Sequence, residues 1–320
     1  MMRVGIVGCG RMGRERALAA AAFGVDAILL FDTNRSLAES LAKECARARP
    51  RADLNALVAE QPNAIFICTP PFCRGPLENR ASGLGIPFFV EKPIGVSAHQ
   101  VDTVLANLRQ REVLSAVGYM NRYRNSVAHA RAILKSQNIV GITAHWIGKE
   151  YGVPWWKVRE QSGGPFNEQA THAMDLFRYL SGETETLHAT ARTRNGVETT
   201  VVVMLRLALG GLATFLYSCE AKDKDILVSI ETTNGVLDLR GWDLELARNT
   251  IDGSYPEPES RPIFEKETHA FLQAVATGDR TLILSDFAEA YKTQVAMDSV
   301  TRIIGQISGQ RPASNPAYQT

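Results

Sequence analysis

Arg3-Val4-Gly5-Ile6-Val7-Gly8-Cys9-Gly10-Arg11-Met12-Gly13 opens this chain and sets how the rest of it is read. Arg3–Gly8 is a short apolar run of strand length, and Arg11–Phe23 follows with the spacing of a helix. The glycines therefore stand where a strand turns into a helix, in the pattern Gly8-x-Gly10-x-x-Gly13. The first allows a tight turn, the second lets a pyrophosphate approach the backbone, and the third lets helix and strand pack closely. The helix N-terminus, with the backbone of Arg11 and Met12, then faces the phosphates. Alone this spacing is a weak signal. Its position between strand and helix makes it a dinucleotide site.

Working outward, Ala27–Asp32, Ala64–Thr69, Pro87–Glu91 and Leu114–Gly118 read as further strands, with helical stretches such as Arg35–Cys45 and Val101–Arg111 between them. Continuous apolar strands alternating with helices imply an α/β fold with a doubly wound parallel sheet, covered on both faces. Ligands bind outside the C-terminal edge of such a sheet, so the residues that end the strands carry most of the information. Asp32 ends the second strand and is placed to accept hydrogen bonds from both hydroxyls of an adenosine ribose. Its charge repels a 2′-phosphate, which predicts NAD over NADP even with Arg35 nearby. Thr69 and Pro70 end the third strand at the same edge. Glu91-Lys92-Pro93 ends the fourth, and the ammonium of Lys92 would stand there beside the nicotinamide, holding a substrate hydroxyl.

Beyond residue 120 the texture changes. A helix over Ser126–Ser136 leads to a strand at Val140–Gly148 and a helix at Phe166–Leu180. Strands follow at Leu187–Thr193, Thr199–Leu209 and Ala213–Cys219, with a further pair inside Ile226–Leu239. Turns at Gly210-Gly211 and Asn234-Gly235 join them into a largely antiparallel open sheet. Asp252–Pro262 reads as an exposed loop, Glu265–Thr277 and Asp286–Gln306 as closing helices, and Arg311–Thr320 as a frayed tail. The expected domains are residues 1–120 and 121–320, with the last helix packing back on the first domain. In Thr199–Leu209 both alternating sets are mostly apolar. Helices are expected over one face and a second subunit over the other, as a homodimer or homotetramer.

Composition narrows the function. Among 320 residues, 35 Lys and Arg face 34 Asp and Glu, a net charge of +1 with no long block of one sign. That excludes the concentrated positive field of a nucleic-acid or anionic-membrane partner. Five irregularly spaced cysteines make no disulfide framework, and Cys68 and Cys73 lack histidines beside them, so no metal is expected. The apolar start breaks into glycines too early for a signal peptide, and Ala19–Phe31, interrupted by Gly24 and Asp26, falls short of a membrane span. A cytoplasmic protein is expected.

The remaining constellation is Gly163-Gly164-Pro165-Phe166-Asn167-Glu168-Gln169-Ala170-Thr171-His172-Ala173-Met174-Asp175. A helix starting at Pro165 or Phe166 sets Glu168, His172 and Asp175 on one face. Upstream lie Tyr119, Arg122, Trp155 and Trp156, aromatic and polar groups suited to a sugar ring.

Taken in order, strand–GxGxxG, Asp32, Thr69-Pro70, Glu91-Lys92-Pro93 and the Gly163-Gly164…Glu168…His172…Asp175 run resemble the Gfo/Idh/MocA oxidoreductase family over nearly the whole chain. The resemblance implies a Rossmann domain followed by an α/β domain with an open sheet. It also implies that Lys92, Glu168 and His172 bind the substrate hydroxyl and handle its proton, with Glu91 supporting the lysine. Two positions depart from the family pattern: Glu168 replaces the usual Asp, and Arg74 replaces a frequent histidine. The implied activity is NAD(P)-dependent interconversion of a hydroxyl and a carbonyl on a sugar, inositol or related polyol. The alternatives are a non-catalytic NAD(P)-binding sensor of the same fold and a reductase of a non-carbohydrate substrate.

Overall fold

The computed structural model describes residues 1–309, so the expected tail Arg311–Thr320 lies outside the described residues. The first sheet and its helices run β1 (Arg3–Val7), α1 (Arg11–Phe23), β2 (Ala27–Phe31), α2 (Arg35–Glu44), β3 (Ala48–Pro50), α3 (Leu54–Ala59) and β4 (Ala64–Ile67). They continue with α4 (Pro76–Gly83), β5 (Phe88–Val90), α5 (Asp102–Arg111) and β6 (Ser115–Val117). All six strands are parallel, in the order β3-β2-β1-β4-β5-β6. Val4, Ile6 and Phe66 point into one core and Leu29, Ile65 and Phe88 into the other, so the inner strands are apolar on both faces.

Three of these elements have no counterpart in the sequence expectations. β3 is Ala-Arg-Pro and pairs only with β2; at a sheet edge a proline costs no ladder bond. α3 is six residues long and rests on its cap, the Asp53 carboxylate accepting from Ala56 N at 2.8 Å. α4 starts at Pro76, with Glu78 accepting from Gly75 N at 2.7 Å.

The second part runs α6 (Asn125–Leu134), β7 (Ile139–Lys149), α7 (Arg159–Ser162), α8 (Pro165–Ser181), β8 (Thr184–Arg194), β9 (Val197–Leu207) and β10 (Leu212–Ser218). After it come β11 (Glu220–Thr232), β12 (Gly235–Arg240), β13 (Glu245–Asn249), α9 (Ile263–Thr277) and α10 (Phe287–Gly309). Its seven strands are ordered β13-β12-β11-β7-β10-β9-β8, antiparallel except where β10 lies parallel to β7. The edge strand β13, Glu-Leu-Ala-Arg-Asn, is too polar to have shown in the sequence.

α8 is buried almost from end to end, set between this sheet and α10. Along β9 the two alternating sets separate: Val201, Val203 and Leu205 are fully buried, whereas Val202 and Met204 are each 42% exposed. The closing helices divide between the sheets. α9, from the far end of the chain, completes the first core, with Phe271 edge-on to Phe66 (5.3 Å) and Phe89 (5.7 Å). α10 bridges both: Phe287 meets Phe88 at 6.1 Å, while Met297, Val300 and Ile304 enter the second core.

Candidate active site

Strand order in the first sheet reverses between β1 and β4, which opens a crevice at the ends of those strands. Gly8 turns there at φ +92°, and a Cβ on it would lie 2.9 Å from the Cys68 carbonyl. A Cβ on Gly13 would lie 1.9 Å from the Gly8 oxygen, so only glycine lets α1 pack this close. At Gly10 a Cβ would meet nothing within 4 Å: this is the open side of the turn. Gly10 is also the N-cap of α1 and offers no side-chain cap, which leaves the first-turn N–H groups of Arg11, Met12 and Gly13 for a ligand. The Asp32 carboxylate is aimed by its bonds from Cys9 N (2.7 Å) and Asn34 N (2.8 Å) and keeps acceptor positions free. These residues fit a dinucleotide. Bound there, it supplies a nicotinamide carbon that accepts or gives hydride.

Across the crevice, Lys92 follows β5, and its Nζ reaches the first turn of α8. It donates to the Glu168 carbonyl at 2.7 Å and to the Glu168 carboxylate, which also accepts from Trp156 Nε1 at 3.0 Å. α8 begins at Pro165, as the sequence predicts, and its first turn delivers Glu168 to the lysine. An ammonium has three donors, and this arrangement uses two of them. One N–H remains for a substrate oxygen.

His172 lies one turn further along α8. Its ring stacks on Trp146 (5.7 Å, 11°) and receives the edge of Tyr119 (6.2 Å, 88°). Burial, and then the cations Lys92, Arg124 and Lys224, hold the imidazole well below its usual range. It is therefore neutral at physiological pH, the form that accepts a proton. Its Nδ1 is buried with no partner among the described residues.

Other expected site residues are engaged elsewhere. Glu91, read as the support of Lys92, instead accepts from Arg16 Nε at 2.7 Å. Arg16 also donates to Glu267 (2.7 Å), Thr268 (3.0 Å) and the Phe264 carbonyl (3.2 Å), all on α9. Arg122 and Asp175, expected at the substrate, form a buried two-point ion pair with each other (2.6 and 2.8 Å). The Tyr119 hydroxyl is fully buried and shares a proton with Thr171 at 2.7 Å, so the tyrosine shapes the pocket around His172 without a hydroxyl to offer. Trp156 is fully buried and serves Glu168; Trp155 is half-buried against the second core. Arg74, which stands where the family often has a histidine, is buried. It donates to the carbonyls of Ile67 (3.2 Å) and Glu91 (2.8 Å) and to Thr69 Oγ1 (3.2 Å), clipping the ends of β4 and β5 together. Thr69 and Pro70 therefore keep their place on the crevice edge, with the threonine hydroxyl already engaged.

Sequence reading missed Trp146, Trp242, Arg124 and Lys224. An aromatic in the middle of a strand looks like core, and nothing local distinguishes the one that stacks under the histidine. Arg124 is buried and donates to the Trp242 carbonyl and to Asp243, both at 3.0 Å and far along the chain.

Comparison with known proteins agrees with this architecture. The model of an oxidoreductase family with an NAD-binding Rossmann fold matches residues 2–119, and the model of the GFO/IDH/MocA C-terminal domain matches residues 127–238. The chain is 24% identical over 310 residues to an inositol 2-dehydrogenase of Rhizobium meliloti, covering 92% of this chain and 86% of that one. It is 28% identical over 187 residues to an NAD(+) scyllo-inositol 2-dehydrogenase of Bacillus subtilis, a match that covers 57% of this chain and spans about half (54%) of that relative. A levoglucosan dehydrogenase solved with NADH and levoglucosan superposes with a TM-score of 0.83 at 18% identity, covering 95% of this chain and 97% of that one. At that identity the likeness is one of fold.

Proposed function

This chain belongs to the Gfo/Idh/MocA oxidoreductase family, and from that premise we propose that it is an NAD-dependent dehydrogenase interconverting a hydroxyl and a carbonyl on a sugar, inositol or related polyol. The observation that carries the reading is the pair formed by Lys92, with one N–H unused, and His172, neutral and one turn along α8 from the Glu168 that Lys92 engages. In the oxidative direction Lys92 Nζ donates to the substrate oxygen and holds it. His172 takes the hydroxyl proton as the carbon gives up hydride, and the C–O bond becomes C=O. In the reductive direction the imidazolium returns the proton. Glu168 holds the lysine in place, and Trp156 holds Glu168 in place. Asp32 favours NAD over NADP by repelling a 2′-phosphate. A homodimer or homotetramer belongs to the same reading: the half-exposed Val202 and Met204 make an open apolar face that a second copy would cover.

The test is nicotinamide reduction by the purified protein, with NAD and NADP separately, across inositols, aldoses, aminosugars and sugar acids. Turnover with one group, lost in Lys92→Ala, is the expected result. Tight cofactor binding without turnover of any of them would replace the dehydrogenase with a sensor or with an enzyme for non-carbohydrate substrates.

A further inference from the structure

Charges around the proposed substrate position do not balance. Lys92 is matched by Glu168 and Arg124 by Asp243. Among the described residues, Arg11 and Lys224 have no carboxylate within 4.0 Å. Lys224 sits in β11 two positions before Ile226, the cross-strand neighbour of Trp146. It lies in the stretch between Glu220 and Asp225 where β11 breaks register with β7, so its contacts, rather than strand alternation, place it. Its Nζ lies 4.1 Å from the centre of the Trp242 ring. Trp242 stands edge-on to Trp146 at 6.2 Å, and Trp146 stacks under His172. An aromatic wall thus runs from the imidazole to the lysine, and the Trp242 end of it is held by Arg124.

The carboxylates of β11 itself are turned elsewhere. Asp225 Oδ2 lies 2.9 Å from His145 Nε2, Glu220 lies near Arg192 (3.6 Å) and Arg194 (3.7 Å), and Asp223 is exposed and makes no ion pair with Lys224. The charge of Lys224 is among those that depress His172, and after desolvation the Arg11 guanidinium holds the lysine itself below its usual range. A cation left without a carboxylate partner at the end of an aromatic wall is a site that an anion relieves.

We propose that Lys224 binds an anionic substituent of the substrate, so that the substrate class is a sugar or polyol bearing a carboxylate or phosphate. This rests on the reading of Lys92 and His172 as the place where the hydroxyl reacts. The apolar faces of Trp146 and Trp242 back the ring, and Lys224 holds the charge at its far end. The pyrophosphate of the cofactor is the other anion that would answer this charge, and the experiment separates the two.

Rates are measured with D-glucuronate against D-glucose and with inositol 1-phosphate against myo-inositol. Wild type, Lys224→Met and Lys224→Arg are compared, together with NADH affinity and tryptophan quenching by each compound in the NADH complex. The acidic member of a pair is expected to be preferred by wild type. Lys224→Met raises its KM about tenfold or more with kcat little changed, while Lys224→Arg retains most of the preference. NADH affinity stays within about twofold, because no cofactor contact is lost. Equal use of acid and neutral sugar, or a preference that survives Lys224→Met, overturns the proposal. Weakened NADH binding with the preference unchanged also overturns it and assigns the lysine to the cofactor. Absence of all turnover, with quenching by an acid that disappears in Lys224→Met, removes the dehydrogenase reading and leaves the anion site standing. Absence of both removes the anion site too.

Discussion

Glu91 and Lys92 are neighbours at the end of β5, yet they serve two opposite kinds of charged site. Behind the strand, Glu91 and Glu267 share the guanidinium of Arg16, with Arg16 and Glu267 fully buried and every Arg16 nitrogen bonded. In front of it, Lys92 and Glu168 keep a little solvent contact, and one lysine N–H is uncommitted. The first site commits every nitrogen of its arginine to holding α1, β5 and α9 together. The second withholds one. A strand end braced from behind lets a reactive group stand in front without drifting.

The comparison breaks most visibly if the front site proves structural. Lys92→Ala and His172→Asn are expected to cut turnover by about two to four orders of magnitude while NADH affinity and thermal midpoint barely move. Parallel losses of stability would put both residues with the scaffold. The rear site makes the reverse prediction. Arg16→Met strands two carboxylates in the interior and should cost about 3–5 kcal/mol in denaturant unfolding. The kcat of the fraction that remains folded should fall far less than in Lys92→Ala.

Glu168→Gln keeps a hydrogen bond to the lysine but removes its counter-charge. A loss of about tenfold to a hundredfold in kcat/KM is expected, intermediate between the two sites. Trp156→Phe removes the bond that steadies Glu168, worth about 1 kcal/mol, together with some buried packing, and a several-fold loss of activity in the folded fraction is its signature.

A pH measurement sharpens the contrast further. Burial, partly offset by Arg16, pushes Glu267 up to about 7. The folded state therefore holds a proton that the unfolded state has already released above the ordinary carboxylate range. This contribution to stability is present at pH 4.5 and declines as pH rises through 7. Glu267→Gln should flatten the decline, and an unchanged pH slope of the unfolding free energy would show that Glu267 is ionised throughout. His172 has the opposite sign: its depressed pKa predicts that the acid limb of the oxidation rate falls below pH 6.5. A limb at or above 6.5 would mean that a different group takes the proton.

Much of the first domain was legible because its information is local. Gly8, Gly10 and Gly13 are tied to a turn that their own spacing defines, and Asp32 and Lys92 are located by the strands they end. The helix carrying Glu168 and His172 was equally readable, from Pro165 and the i, i+4 spacing. The direction in which Glu91 points was not. Its partner Arg16 lies 75 residues earlier, and the other carboxylate on that arginine lies 251 residues from Arg16. Arg122 and Asp175 looked like substrate contacts because both are charged and near the motifs, and only their meeting across 53 residues showed them to be a structural pair.

By itself the sequence determined the parallel sheet, the glycine turn between β1 and α1, and the places of Lys92 at a strand end and of His172 one turn after Glu168 on a helix. Each of these follows from periodicity or from backbone stereochemistry within a few residues. Tertiary structure alone decided which charges are consumed and which are left over. Glu91 is turned away from Lys92, Arg74 is spent on strand ends, and Lys224 is set on Trp242 in view of His172. An ion pair depends on distances of a few ångströms between elements far apart in the chain, and no local pattern encodes those distances.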